Sequence, residues 1–184
     1  MALPQGLQER DIILNHARRK DVLLTFSSGR SLDSVSALIG LSYNRTYEGE
    51  PAMLLEAMAR HGNTDSINFS PEIVENNGKY ALNTSNILYN LINSYKSHKK
   101  DDTAVFGQKY LTHGLTDIVT YLRDSTGISK VALSGGVFVN DYITSTIIDR
   151  LENDGFEVYK NTLVLPGDDE TAVGQVVNAL HHVI

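Results

Sequence analysis

The residues best suited to hold a ligand form a glycine turn in the C-terminal part of the chain. Residues 131–133 are a short apolar run, Ser134-Gly135-Gly136 follows as a turn with little side chain, and a helix is predicted from Val137. Because neither glycine carries a Cβ, a ligand can reach the backbone, and the free N–H groups of a helix N-terminus favour phosphate or another anion. The same pattern also fits a tight strand-to-helix connection that binds nothing.

Two acidic positions are candidates for the same chemistry. Asp33 interrupts the apolar stripe of a predicted helix, either as a first-turn carboxylate favoured by the helix dipole or as a carboxylate directed into a cleft. Asp168, Asp169 and Glu170 open the last predicted helix, after a Pro-Gly break. They are either ordinary complements of the dipole or oxygen ligands for a hard cation.

Composition removes several classes of function. The 184 residues include no cysteine, which excludes thiol catalysis, cysteine-ligated zinc and disulfides. A formal charge of −6 argues against a broad basic surface for nucleic acid. No apolar run approaches the roughly 18 to 20 residues of a membrane span, and no signal-peptide pattern opens the chain. We therefore expect a soluble, cytoplasmic protein that binds small molecules or protein partners.

The elements that must position these residues begin with a mostly helical layer. Amphipathic spacing predicts a helix over residues 8–20, and an apolar run at residues 22–26 leads to a serine-capped helix that carries Asp33. A third helix begins at Pro51. Two short strand candidates, residues 67–74 and 79–82, flank an Asn-Asn-Gly turn and predict a hairpin.

The C-terminal half alternates helices and strands. A helix containing residues 87–95 and a longer one over residues 103–123 precede the glycine turn. The helix after the turn ends at Gly155, a strand is predicted at residues 156–159, and the last helix follows. This alternation predicts an α/β lobe with right-handed crossovers.

Four separated blocks carry a resemblance to a known family. They read SSGRSLDSVSALIGL from Ser27, YEGEPAMLLEAMA from Tyr47, VALSGGVFVND from Val131 and PGDDETAVGQ from Pro166. In sequence, order and separation they resemble the C-terminal lobe of the HypF-type hydrogenase-maturation carbamoyltransferases, relatives of the enzymes that make threonylcarbamoyl-adenosine in tRNA. The resemblance covers nearly the whole chain. It implies an α/β, actin-like and Hsp70-like ATPase fold, in which nucleotide binds between two lobes, with residues 1–184 as a single C-terminal lobe.

The resemblance also implies roles for residues of the first two blocks. Asp33 resembles the helix carboxylate that contacts the adenylate. Gly49 and Glu50 lie in the loop near the nucleoside. Relatives that modify tRNA usually have two glycines before the proline, so Glu50 favours the hydrogenase-maturation branch, whereas Pro51 weakly favours the other.

In the last two blocks the implied roles concern phosphate and metal. Gly135 and Gly136 resemble the turn that faces the nucleotide phosphates, and Asn140 resembles the asparagine that contacts the nucleotide. Asp168 matches the aspartate that completes the family's divalent metal site, for iron, zinc or magnesium.

The chain also departs from the family pattern. Two histidines spaced four apart on an N-terminal lobe complete the family's metal site, and no such pair exists among the six histidines here. That lobe, the acylphosphatase-like domain and the cysteine-rich zinc segment are absent from this sequence. Asp169 and Glu170 replace two glycines, and added carboxylates repel phosphate unless a cation intervenes. We therefore expect half of a site, completed by an N-terminal lobe.

The implied activity is carbamoyl transfer. The family takes the carbamoyl group from ATP-derived carbamoyl-adenylate to the C-terminal cysteine of an acceptor protein. Two alternatives remain open: a degenerate nucleotide-binding or scaffold module without catalysis, and a threonylcarbamoyl transferase-like lobe for tRNA modification. A sugar or acetate kinase lobe of the same superfamily is a weaker alternative.

Overall fold

A computed structural model describes residues 6–19, 25, 27–168 and 170–183. The elements in chain order are α1 (Gly6–Ala17), α2 (Ser28–Leu38), α3 (Glu50–Ala59), β1 (Ile73–Asn76), β2 (Lys79–Leu82), α4 (Thr84–Ser94), α5 (Lys100–Thr126), β3 (Lys130–Leu133), α6 (Asp141–Asn153), β4 (Glu157–Lys160) and α7 (Glu170–Val183). Short 3₁₀ turns occupy Tyr95–Ser97 and Gly136–Val139. Apart from Thr25, the apolar run predicted at residues 22–26 lies outside the described residues, as does Asp169.

Capping side chains start two of the helices, and the serine cap of α2 is where the sequence predicts it. The Ser27 hydroxyl accepts a hydrogen bond from the Arg30 N–H at 3.3 Å and so caps α2. The Asn83 side-chain oxygen accepts from the Ser85 and Asn86 N–H groups and caps α4. These bonds satisfy amide donors that the first helical turn leaves without a partner.

The 27-residue helix α5 is the centre of the core. It packs against α2, α3, α6 and β2, and side chains such as Phe106 and Tyr110 are almost completely buried. The hairpin approaches the helix closely at Gly114, where an added Cβ would lie 2.4 Å from the Leu82 Cδ1. Glycine at this position therefore lets β2 lie directly on α5.

The strands form two pairs. β1 and β2 are antiparallel and are joined by Asn77 and Gly78, both with positive φ, which confirms the predicted hairpin. Its first strand, Ile73–Asn76, starts later and is shorter than the predicted residues 67–74. β3 and β4 are parallel, with Val131 opposite Val158 and α6 between them in the chain. This β3–α6–β4 unit confirms an α/β arrangement.

The first and last helices expose their apolar side chains. Ile12 of α1 is 62% exposed and Val176 of α7 is 59% exposed, and the described residues of neither helix are buried. None of the described helices combines the length and the hydrophobicity of a membrane span.

Candidate functional site

A pocket of about 530 Å³ lies where α2 meets the loop that leads into α3. Its lining is mostly polar and comprises Arg30, Asp33, Ser34, Ala37, Ser42, Tyr43, Asn44, Arg45 and Pro51. The Asp33 side chain is 25% exposed, and its Oδ2 lies 3.9 Å from the Arg30 Nη1. Asp33 is therefore a partly dehydrated carboxylate on a pocket wall, with a guanidinium one helical turn away.

The loop residues Gly49 and Glu50 directly precede Pro51, which lines this pocket. Gly49 has φ +83° and precedes α3, and no heavy atom lies within 4 Å of where its Cβ would be. Glu50 begins α3, and its carboxylate accepts hydrogen bonds from the backbone N–H and the hydroxyl of Thr46. Glu50 thus closes the loop, which is a role that the sequence did not reveal.

The glycine turn is open on one side. Gly135 has φ +108°, and neither it nor Gly136 has a heavy atom within 4 Å of an added Cβ. The helix predicted from Val137 is instead a 3₁₀ turn, Gly136–Val139, and α6 begins at Asp141. The prediction was wrong about this start because Asn140 adopts an extended backbone and caps α6.

Asn140 has a structural function in addition to its predicted contact with nucleotide. It is 8% exposed, and its side-chain oxygen accepts from the Ile143 N–H at 2.9 Å. Within the described part of the chain its amide NH₂ group makes no hydrogen bond. The side-chain oxygen therefore caps α6, and the NH₂ group remains able to donate a hydrogen bond to a ligand.

Packing brings these features onto neighbouring elements. α2 packs against both α3 and the 3₁₀ turn that follows Gly135. A Glu56 side-chain oxygen accepts from the Asp141 N–H at 2.9 Å, which joins α3 to the start of α6. Asp33, the Gly49-Glu50 loop and the glycine turn thus belong to one connected group of elements.

Asp168 is not part of that group. It is exposed in the turn before α7, where its carbonyl oxygen accepts from the Thr171 N–H at 3.1 Å, and the Asp33 pocket has no lining residue from this segment. Among the described residues there is no cluster of three or more histidine, aspartate or glutamate side chains that could hold a metal ion.

Sequence reasoning missed the two arginines of the pocket. Arg30 lies one turn from Asp33, and the Arg45 Nη1 lies 2.9 Å from the Glu48 Oε2. The three-residue spacing from Arg45 to Glu48 was a readable signal. The two guanidinium groups each lie within ion-pair distance of a carboxylate, so this region offers a polar ligand both hydrogen-bond donors and acceptors.

A family model described as "Carbamoyltransferase, Kae1-like Domain, second subdomain" matches residues 2–175. The chain belongs to this family. The probable carbamoyltransferase HypF of Methanocaldococcus jannaschii is 35% identical over 158 residues, which are 84% of this chain and 20% of the relative. A tRNA N6-adenosine threonylcarbamoyltransferase of Thermotoga neapolitana is 26% identical over 152 residues, which are 81% of this chain and 44% of the relative.

Solved structures agree with this assignment. A crystal structure of full-length HypF in the phosphate- and nucleotide-bound form matches with a TM-score of 0.82 and 33% identity, over 94% of this chain and 23% of that one. The T. kodakarensis HypF structure matches with a TM-score of 0.77 and 28% identity, over 92% and 22% respectively. The predicted HypF resemblance is confirmed, and this HypF-like lobe spans about a fifth of the length of the HypF relatives it matches.

Proposed function

We propose that this chain is the nucleotide-binding half of a HypF-type carbamoyltransferase, with an actin-like and Hsp70-like ATPase fold. The supporting observation is the polar pocket with Asp33 on its wall. The helices around this pocket pack against the open glycine turn. The similar HypF structure described as phosphate- and nucleotide-bound agrees with this proposal. The ligand proposed here is ATP or carbamoyl-adenylate.

Each group has a physically reasonable role toward such a ligand. The Asp33 carboxylate accepts hydrogen bonds from the nucleoside part, near the backbone of Gly49 and Glu50. The backbone N–H groups of the glycine turn, at Gly135 and Gly136, bind phosphate. The NH₂ group of Asn140 donates to the nucleotide while its oxygen continues to cap α6.

The proposed reaction belongs to hydrogenase maturation. A thiolate at the C-terminal cysteine of an acceptor protein attacks the carbamoyl carbon of carbamoyl-adenylate, a C–S bond forms, and the adenylate leaves with the electron pair of the broken C–O bond. This chain has no cysteine and does not itself supply the thiol, which comes from the acceptor in this proposal. The lobe itself contributes binding and orientation.

The side chains that the structure describes do not by themselves fit a divalent metal site. Asp168 is a single exposed carboxylate, and the described residues supply no cluster of ligands around it. A complete site needs ligands from elsewhere, so the proposed role of Asp168 as a metal ligand depends on another lobe.

We also propose that an N-terminal lobe covers the apolar faces of α1 and α7. Ile12 and Ile13 on α1, and Val176 and Leu180 on α7, are each about half exposed or more. Exposed apolar patches of this kind mark contact surfaces. The HypF relatives have about four-fifths of their length outside the region matched here, and that length can supply such a lobe.

Calorimetric titration with ATP and magnesium tests the proposal. It is done on the chain alone and on the chain mixed with a separately made N-terminal lobe of the M. jannaschii relative. We expect binding to appear or to strengthen when the lobe is supplied.

The variant Gly136→Ala should reduce that affinity without unfolding the chain, because its Cβ enters open space where phosphate would lie. The control is Glu152→Ala, an exposed position at the end of α6 that lies on neither α1 nor α7.

The alternative of a degenerate binding or scaffold module makes the opposite prediction. It is favoured by Asp169 and Glu170, acids where the family resemblance implies glycines. If no heat of nucleotide binding appears with or without the second lobe, the enzyme proposal fails and this alternative stands. A threonylcarbamoyl transferase-like lobe remains the other alternative, supported by the similarity to the T. neapolitana protein.

A further inference from the structure

A second cavity, of about 170 Å³, lies between α5 and the segment that leads into β1, and shares no lining residue with the Asp33 pocket. Its floor is apolar. Ile67, Phe106 and Tyr110 are at most 2% exposed, and the Phe69 ring meets the Phe106 ring edge-on at 5.8 Å between centroids. The α5 side of the cavity is held by the core, and residues 67–71 form the other side from the irregular segment before β1.

The rim of the cavity carries one cation, Lys109. The side chain of Lys109 is 24% exposed, and its ammonium donates to the Thr64 carbonyl oxygen at 2.8 Å and lies 3.4 Å from the Asp65 Oδ1. An ammonium group has three donors, so one remains for a ligand. Asp65 is 85% exposed, and such a hydrated partner neutralises Lys109 only weakly.

Three neutral polar side chains complete the rim. The imidazole of His113, the amide of Asn68 and the hydroxyl of Ser70 line the cavity, and none makes a hydrogen bond within the described parts of the chain. Tyr110 differs, because its hydroxyl accepts from the Glu72 N–H at 3.1 Å and donates to the Asn83 carbonyl at 3.0 Å. Tyr110 therefore belongs to the wall, whereas the other three are available to a ligand.

The charge of the lining selects the ligand class. The cavity lining contains Lys109 and no carboxylate. Behind it, Arg150 of α6 and Asp117 of α5 pair at 3.1 Å and largely offset each other. A single positive charge over an apolar floor suits a monoanion with an apolar body. A dianion such as hydrogen phosphate would lose hydration on binding, and a second cation would be needed to compensate that cost.

We propose that this cavity is a binding site for a small free monocarboxylate. The carboxylate binds the Lys109 ammonium and the polar rim, and the apolar end lies on the phenylalanine floor. The volume equals that of about five or six water molecules, which fits an acid of a few carbon atoms.

The test follows the His113 ring resonances by NMR in the full 184-residue chain. The chain is titrated at fixed ionic strength with sodium isobutyrate, with isobutyramide as a neutral isostere, and with inorganic phosphate. We expect a saturable shift of the His113 signals with isobutyrate and none with the other two. Charge-assisted hydrogen bonding predicts that Lys109→Met weakens isobutyrate binding about tenfold.

A matched control and a second variant make the test decisive. Lys130→Met removes an exposed ammonium that pairs with Glu157 on the β3–β4 sheet, and it should leave isobutyrate binding unchanged. Ser70→Val replaces the rim hydroxyl by a methyl group and adds a second methyl group, and it should weaken binding even if Lys109→Met does not fold. The proposal is overturned if isobutyrate gives no saturable shift, if isobutyramide shifts His113 equally, or if folded Lys109→Met binds as well as the parent chain.

Discussion

A Glu56 side-chain oxygen accepts a hydrogen bond from the Asp141 N–H at 2.9 Å, across 85 positions of sequence. The bond places a carboxylate at the N-terminus of α6, where the helix dipole favours negative charge. It also joins α3, which begins at the proposed nucleoside loop, to the helix that follows the glycine turn. This bond, together with the packing of α2 against both α3 and the 3₁₀ turn, sets the relative position of two parts of the candidate site.

Removing this bond should loosen the site. We expect Glu56→Ala to lower the free energy of unfolding by about 1 kcal/mol, since it removes a charge-assisted hydrogen bond at a partly exposed helix N-terminus. Urea unfolding followed by circular dichroism measures the change. Glu152→Ala, an exposed acid at the other end of α6, is the control, and equal losses in the two variants would contradict a specific role for Glu56.

The two functions assigned to Asn140 can be separated. Asn140→Ala should cost about 1 kcal/mol of stability through loss of the cap, whereas Asn140→Asp keeps an acceptor for the Ile143 N–H and should be nearly as stable as the parent. Asn140→Asp nevertheless loses the NH₂ donor. If that donor contacts nucleotide, this variant binds ATP more weakly in the two-lobe titration while its unfolding curve is unchanged. Parent-like affinity would restrict Asn140 to capping.

Ser36 provides a test of buried polarity between packed helices. It is completely buried on α2, and its hydroxyl has no hydrogen-bond partner among the described residues. Because burying an unpaired hydroxyl costs free energy, we expect Ser36→Ala to raise the free energy of unfolding by about 1 kcal/mol. Ser34→Ala is the comparison, since that exposed hydroxyl donates to the Arg30 carbonyl and should change stability by less than about 0.5 kcal/mol. A clear loss of stability in Ser36→Ala would disprove the prediction.

His113 should make stability depend on pH. Burial, followed by the charges of Arg150 and Lys109, lowers the pKa of His113 below its ordinary value, and Asp117 opposes them. As pH falls below the ordinary value, the unfolded chain takes up a proton before the native chain does. The associated stability is therefore complete above about pH 7 and is lost as pH falls towards the lowered pKa.

Replacing His113 should reduce this dependence. We expect the free energy of unfolding of His113→Gln to fall less than that of the parent between about pH 7.5 and about pH 5.5. Denaturant titrations at both pH values measure the difference. His61→Gln, at an exposed histidine after α3, should keep the parent's dependence. An unchanged slope in His113→Gln would show that other groups cause it.

Local signals in the sequence determined most of the elements. Ser27 and Asn83 cap helices because their side chains reach amides two or three residues away, and the Asn77-Gly78 pair forms the hairpin turn because both residues adopt positive φ. The family resemblance was also readable, because it depends on ordered blocks of residues and not on their contacts. Caps and turns involve neighbours along the chain, and the sequence shows these neighbours directly.

Tertiary structure alone decided how the pieces meet. The bond from Glu56 to Asp141 joins residues far apart in sequence, and so does the cavity between α5 and residues 67–71. The pocket that Asp33 and Arg45 both line depends on how the loop before α3 lies against α2. Even the start of α6 depended on whether Asn140 would continue a helix or cap one. Contacts of this kind follow from how α5 packs against its neighbours, and periodicity along the chain carries no record of which helix faces meet.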